Sequence, residues 1–431
     1  MKFCAWLKFA LLTVTVSSIA ACRKPDVAEP ELESPASGTR AELTLDSVFL
    51  YARHVYVWHE ALPDYRAFNP RKYHSAAASE LLNLKKTVFD LTTYAVNPLT
   101  SKPYEYTALP GFSKYSFIEE SDGYGRVAAA NGQSDELSAT GQLEAVRQGD
   151  IGYLRFTQFY VLSSMTSLLD EAFELFAQPQ GITSLIIDLR GNMGGYTETA
   201  EYIADLLALP SMNEKTMYTQ EFNTEMQSGR AKILKHQLYK DENGRVVYVG
   251  GRPATYADID FSIAANTIRF QKKGALTSLK RLCFIVNENT ASASELLINV
   301  MKPYVPVTLI GTKTYGKPVG SFGIVVDRYT LHVPSFLIYN AAGKGGYFSG
   351  FTPDIEASDE QLGSNAGDVL DKVGALTGDG PEGRIRMTRT VRASPLKAID
   401  FLKDPNMLRK RFKIRRWFVP RVRDFIPSLA F

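Results

Sequence analysis

Three cysteines and five histidines in 431 residues leave little material for a disulfide framework or a metal centre. Cys4 and Cys22 sit in or at the end of an N-terminal leader, so only Cys283 is expected in the mature body, with no intramolecular disulfide. Cys283 lies inside the apolar run Leu282–Val286 and reads as core filling rather than a nucleophile. His54, His59 and His74 have no cysteine or carboxylate partners at ligand spacing, and no metal or other cofactor is expected. Long hydrophobic runs are also scarce: the leader's apolar stretch, Phe9–Val16, is too short to span a bilayer. No internal repeat is apparent.

What is present begins with that leader. Lys2 and Lys8 precede the apolar stretch, and small residues follow it up to Ala21, as in a secretory signal. Ile19-Ala20-Ala21-Cys22 resembles the lipobox of bacterial lipoproteins. The resemblance implies cleavage before Cys22, acylation of Cys22 and attachment to a membrane of the bacterial cell envelope, facing the periplasm or the exterior. An ordinary secretory signal is the plainer reading. Either route takes the chain out of the cytoplasm, and with no recognisable nucleic-acid module no nucleic-acid partner is expected.

A composition of 45% hydrophobic and 22% charged residues is that of an ordinary globular chain able to bury a sizeable core. The net charge of +3 hides an asymmetry, because Arg384–Phe431 carries 14 Lys and Arg against 3 Asp and Glu. Such an end reads as a solvated terminus, or as a segment for an anionic surface given the cation and aromatic mixture of Arg409–Trp417. The expected organisation is a signal peptide over 1–21, a Pro-, Glu- and Ser-rich tether over 22–42 and a small helical domain over 43–100. A connecting segment over 101–150, a catalytic domain over 151–365 and a basic tail over 366–431 follow. In the helical domain Asp46 is the expected N-cap of a first helix, and a second helix is expected over Ala76–Leu91.

From Ile151 the periodicity alternates between strand and helix. Strands are expected at Ile151–Phe159, Ser184–Leu189, Arg281–Val286 and Val307–Gly311, with helices at Met165–Phe176, Glu198–Leu207 and Ser294–Met301. This predicts a layered α/β domain with a largely parallel sheet. An aromatic hairpin is expected over Tyr329–Phe351, turning at Ala342–Gly346.

Functional groups in such sheets collect on loops at the carboxyl ends of strands, and three loops stand out. Asp188-Leu189-Arg190-Gly191-Asn192-Met193-Gly194-Gly195 has paired glycines that can expose backbone N–H groups to an oxyanion, or that simply permit a sharp turn. Asn289-Thr290-Ala291-Ser292-Ala293-Ser294-Glu295 places a serine at a helix N-terminus, as a nucleophile or as half of a Ser-x-x-Glu capping box. Gly311-Thr312-Lys313-Thr314-Tyr315-Gly316-Lys317-Pro318 matches a phosphate loop except at its last position, where Pro318 replaces the magnesium-binding hydroxyl. A lysine confined among apolar neighbours can instead act as a general base, and serine with lysine is a known pairing.

These motifs resemble the C-terminal processing, or tail-specific, peptidases, over Ile151–Ala357. The likeness is closest in Leu185–Arg190, Ser292–Glu295 and Gly316-Lys317. It implies Ser292 as nucleophile and Lys317, 25 positions later, as base. It implies an oxyanion hole from Gly194 or Gly195 with Ala293, and supporting roles for Thr314 and Glu295. The implied fold is a crotonase- and Clp-protease-like layered spiral with a small N-terminal helical domain, and the implied partner is a polypeptide substrate. Two departures matter. Many members carry a glutamine four residues after the lysine, where this chain has Ser321. A PDZ domain commonly precedes the first catalytic strand, but the roughly 30 residues of Glu119–Gln148 are too few for one. The leading expectation is a serine endopeptidase; the alternative is a surface lipoprotein using the same fold as a binding scaffold.

Overall fold

The computed structural model describes residues 34–75, 78–107, 111–121, 143–240, 245–377 and 389–392. The signal peptide, Cys22, the middle of the connecting segment and most of the basic tail lie outside these residues.

Helix α1, Arg40–Val55, starts at Thr39 rather than Asp46. Thr39 and Glu42 form a reciprocal capping box, Thr39 N–H donating to Glu42 Oε2 at 2.7 Å and Glu42 N–H to Thr39 Oγ1 at 3.3 Å. Asp46 is instead buried in the middle of the helix, where Arg71 donates to it at 2.7 Å. Helix α2, Glu80–Thr92, is capped by Ser79. Two further long helices, α3 (Leu162–Ala177) and α4 (Thr197–Leu207), fall where the apolar spacing places them.

The main sheet has seven strands. In chain order these are β2 (Leu143–Gln148), β3 (Ile151–Phe156), β4 (Ser184–Asp188), β7 (Arg281–Val286), β8 (Val307–Gly311), β13 (Ile355–Glu356) and β14 (Arg389–Arg392). Their spatial order is β13-β8-β7-β4-β3-β2-β14. The five from β13 to β3 run parallel, while β2 is antiparallel to both its neighbours. Both faces are covered, which explains the continuous apolar runs. Leu154, Leu185, Ile187 and Phe284 point to a large core shared with α1, α2, α3 and α4. Tyr153, Ile186, Ile285 and Ile310 point to a smaller core closed by Leu362 and Val369. Val369 belongs to a helix, Ala366–Thr377, in the segment expected to begin the tail.

Two smaller sheets flank the site. One orders β6-β5-β12-β9, with β5 at Thr216–Phe222, β6 at Thr267–Arg269, β9 at Val319–Gly320 and β12 at Phe336–Asn340. The other orders β10-β11-β1, with β1 at Phe117–Glu120, β10 at Ile324–Val326 and β11 at Tyr329–His332. The expected aromatic hairpin does not form: β11 and β12 belong to different sheets, and 347–351 is not a strand. Pro334 lies between them and has no N–H to extend a ladder, so the chain changes sheets there.

Candidate active site

Strand register brings the three loops together. Ile285 of β7 is paired with Asp188 of β4, and Val286 with Gly311 of β8, so the carboxyl ends of three adjacent parallel strands lie side by side. The loops leaving them must meet.

After β7 the chain turns sharply into helix α5, Ala293–Met301, all of whose residues are buried. Ser292 is the turning point, with φ 57° and ψ −115°. This backbone conformation costs a non-glycine residue about 1–3 kcal/mol, and it is how strand-to-helix elbows hold a nucleophilic serine clear of the helix. Its hydroxyl makes no capping hydrogen bond. Only the glutamate half of the capping box forms, with Ser292 N–H donating to Glu295 Oε2 at 3.2 Å.

Glu295 has no exposed surface and reaches well beyond its own helix. Thr314 Oγ1 donates to its Oε1 at 2.6 Å, Gly316 N–H to Oε1 at 2.7 Å and Lys317 N–H to Oε2 at 2.8 Å. Burial pushes its carboxyl above the usual range, while these donors pull it down. Thr314 also accepts Phe351 N–H at 2.7 Å, which fixes its hydroxyl to donate to the glutamate.

The glycine loop packs directly on Ser292. A Cβ built on Gly194, whose φ is 102°, would lie 2.8 Å from both Ala291 carbonyl oxygen and Ser292 Cβ, so only glycine fits. Asn192, fully buried, knits the two loops: its carbonyl accepts Ser294 Oγ at 2.9 Å and Ala291 N–H at 3.2 Å. Its Oδ1 accepts Gly194 N–H at 3.0 Å, which engages that donor within the loop.

Lys317 is largely buried, and desolvation drives its amine below the ordinary lysine value, against the carboxylates of Glu105 and Glu295 that favour the charged form. His332, 3% exposed and stacked on Phe117, is lowered to about 3 by burial and then by the charge of Lys317. Ser321 follows β9, half-exposed, and takes no part in the Glu295 network.

The expected residues Ser292, Ala293, Gly194, Gly195, Thr314, Glu295 and Lys317 therefore all lie on the three adjoining loops or the first turn of α5. Asn192, His332, Glu105 and Tyr115 were not singled out from sequence. Asn192 stood within the quoted glycine motif, but nothing in it marked the side chain as the tie between loops. Glu105 and Tyr115 stand far from the motifs, and no local pattern flags them. Among the described residues no group of side chains could hold a metal ion, and no helix is long and apolar enough to cross a membrane.

Residues 150–357 match peptidase family S41. The carboxy-terminal-processing protease of Bartonella bacilliformis is 24% identical over 214 residues, 48% of this chain and 39% of that one. The chloroplastic carboxyl-terminal-processing peptidase 1 of Arabidopsis thaliana is 27% identical over 198 residues, 44% of this chain and 29% of that one. This chain thus aligns with well under half the length of either relative. A solved photosystem II D1 C-terminal processing protease superposes with a TM-score of 0.45 at 15% identity, covering 77% of this chain and 97% of that one. Over its central α/β segment, residues 150–357, the chain is thus similar to peptidase family S41.

Proposed function

We propose that this chain is a serine endopeptidase acting on polypeptides, with Ser292 as nucleophile and Lys317 as general base. The observation that carries the reading is the Glu295 carboxylate, which holds the backbone of both residues at 3.2 and 2.8 Å. A structural cap would need only the first of these bonds. In this reading neutral Lys317 accepts the Ser292 proton as Oγ attacks the substrate carbonyl. The tetrahedral oxyanion is met by backbone N–H groups of Ala293 and Gly195, since Gly194 N–H is engaged by Asn192. Lys317 then passes its proton to the leaving amine, and the acyl-enzyme remains. Water, giving a proton to Lys317, attacks the ester, and Lys317 returns that proton to Ser292 Oγ as the ester bond breaks and the acid product leaves.

Attachment through lipidated Cys22 would place this activity at the cell envelope, and a connecting segment too short for a PDZ domain would leave substrate capture to other surfaces. Thr314 supports Glu295, while Ser321 stands where a glutamine would help orient the lysine and lies outside the network. That last feature favours the second reading, a polypeptide-binding scaffold with little catalysis. Labelling by a serine-directed acylating probe separates the two. Labelling that disappears in Ser292→Ala supports the peptidase, and a wild-type protein that never labels supports the scaffold.

A further inference from the structure

The peptide unit joining Gly316 to Lys317 is gripped from two sides. Its N–H donates to Glu295, and its carbonyl accepts the Tyr115 hydroxyl at 2.7 Å. Tyr115 comes from outside the segment shared with the peptidase family. It belongs to a strap that crosses the lysine loop and is locked there reciprocally, with Tyr315 Oη donating to the Lys114 carbonyl at 3.0 Å and Lys114 Nζ to the Phe348 carbonyl at 2.7 Å.

The strap is itself organised by one carboxylate. Glu105, 1% exposed, accepts Ser116 N–H at 2.7 Å and Tyr115 N–H at 3.3 Å on Oε2, and Ser116 Oγ at 2.7 Å and Tyr56 Oη at 2.8 Å on Oε1. A buried carboxylate is costly, and four donors are what keep it in place. A strap needing only to pack could use an apolar residue here. Glu105 and Glu295 both act on the Lys317 amine, favouring its charged form, while Lys317 in turn acts on the buried His332.

We propose that Glu105 and Tyr115 are positioning residues for Lys317, Tyr115 by holding the Gly316 carbonyl and Glu105 by ordering Tyr115 and setting a negative charge against the lysine. The proposal rests on the reading of Lys317 as general base. It gives the chain a support for the lysine from a different part of the fold than the position occupied by Ser321.

The test is the pH dependence of peptide hydrolysis by the full mature protein and its E105Q and Y115F variants, with S292A as control. Glutamine preserves shape and most hydrogen bonds but removes the charge, so the acid limb of kcat/KM is expected to move down by about one pH unit. Y115F loses only a hydroxyl, and kcat is expected to fall about tenfold with KM unchanged. A superimposable E105Q profile, or a Y115F enzyme with wild-type kcat, overturns the proposal while an inactive S292A leaves the peptidase reading standing. An S292A protein that keeps its activity overturns that reading and the proposal with it. Should E105Q not accumulate as folded protein, kcat and KM of Y115F decide.

Discussion

Glu295, three residues into the helix that Ser292 opens, donates nothing and accepts the backbone N–H of Lys317 at 2.8 Å across 22 positions of sequence. Its other partners are Ser292, Thr314 and Gly316. One buried carboxylate therefore sets the spacing between two loops that leave neighbouring strands. Glu295→Gln would aim an amide NH2 at donors that need an acceptor. Stability should fall by about 1–3 kcal/mol in urea titration, and kcat should fall about 100-fold as the loops lose register. Wild-type kcat in a folded variant would refute the cross-brace.

Ser292 carries its backbone strain for the sake of its position. Ser292→Gly should therefore be more stable than Ser292→Ala, by about 1 kcal/mol, although both lose activity. Thermal or urea midpoints of the two variants provide the comparison, and an alanine variant as stable as the glycine one would argue against strain at this elbow.

Lys317 is held below its ordinary value of 10.5 mainly by desolvation. The base form then exists at lower pH than for a free lysine, and kcat/KM should rise with pH and level off below 10.5. Lys317→Arg should be inactive across the range, because a guanidinium stays protonated. A profile flat from pH 6 to 9 in the wild type would count against lysine as base.

Gly194 and Gly191 both have positive φ, but only at the first would an added Cβ meet another loop. Gly194→Ala should abolish turnover, because the new methyl would sit 2.8 Å from Ser292 Cβ and from Ala291 carbonyl oxygen. Gly191→Ala meets nothing within 4 Å and should cost only about 1–2 kcal/mol of backbone strain, with a much smaller loss of kcat. Equal kinetic losses would mean that backbone conformation, not contact with Ser292, sets the requirement.

His332 provides a stability signature. Its value drops from 6.5 to about 3 on folding. Between those limits the unfolded chain binds a proton that the folded chain does not, so stability is full above pH 6.5 and declines as pH falls toward 3. His332→Leu should flatten this part of the urea-midpoint profile, and an unchanged slope would show that other groups dominate acid unfolding.

Sequence alone determined the strands β7 and β8 to the residue, because a strand buried on both faces must be apolar throughout and is bounded by polar or glycine residues. It also determined the three loops and the 25-residue spacing of Ser292 and Lys317, since motifs and the intervals between them are read directly along the chain. It misplaced the start of α1, because Asp46 has the chemistry of a cap but is buried in mid-helix beside Arg71. It also missed the change of sheet at Pro334. Only the tertiary structure decided which loops touch, that Gly194 N–H is engaged by Asn192, and that Glu105 and Tyr115 brace the lysine loop from 200 residues away. Contacts between distant segments depend on strand order and register, which no local pattern encodes. Ser292 and Glu295 make the division plain: the sequence shows a capping box, and only the fold turns its glutamate toward Lys317.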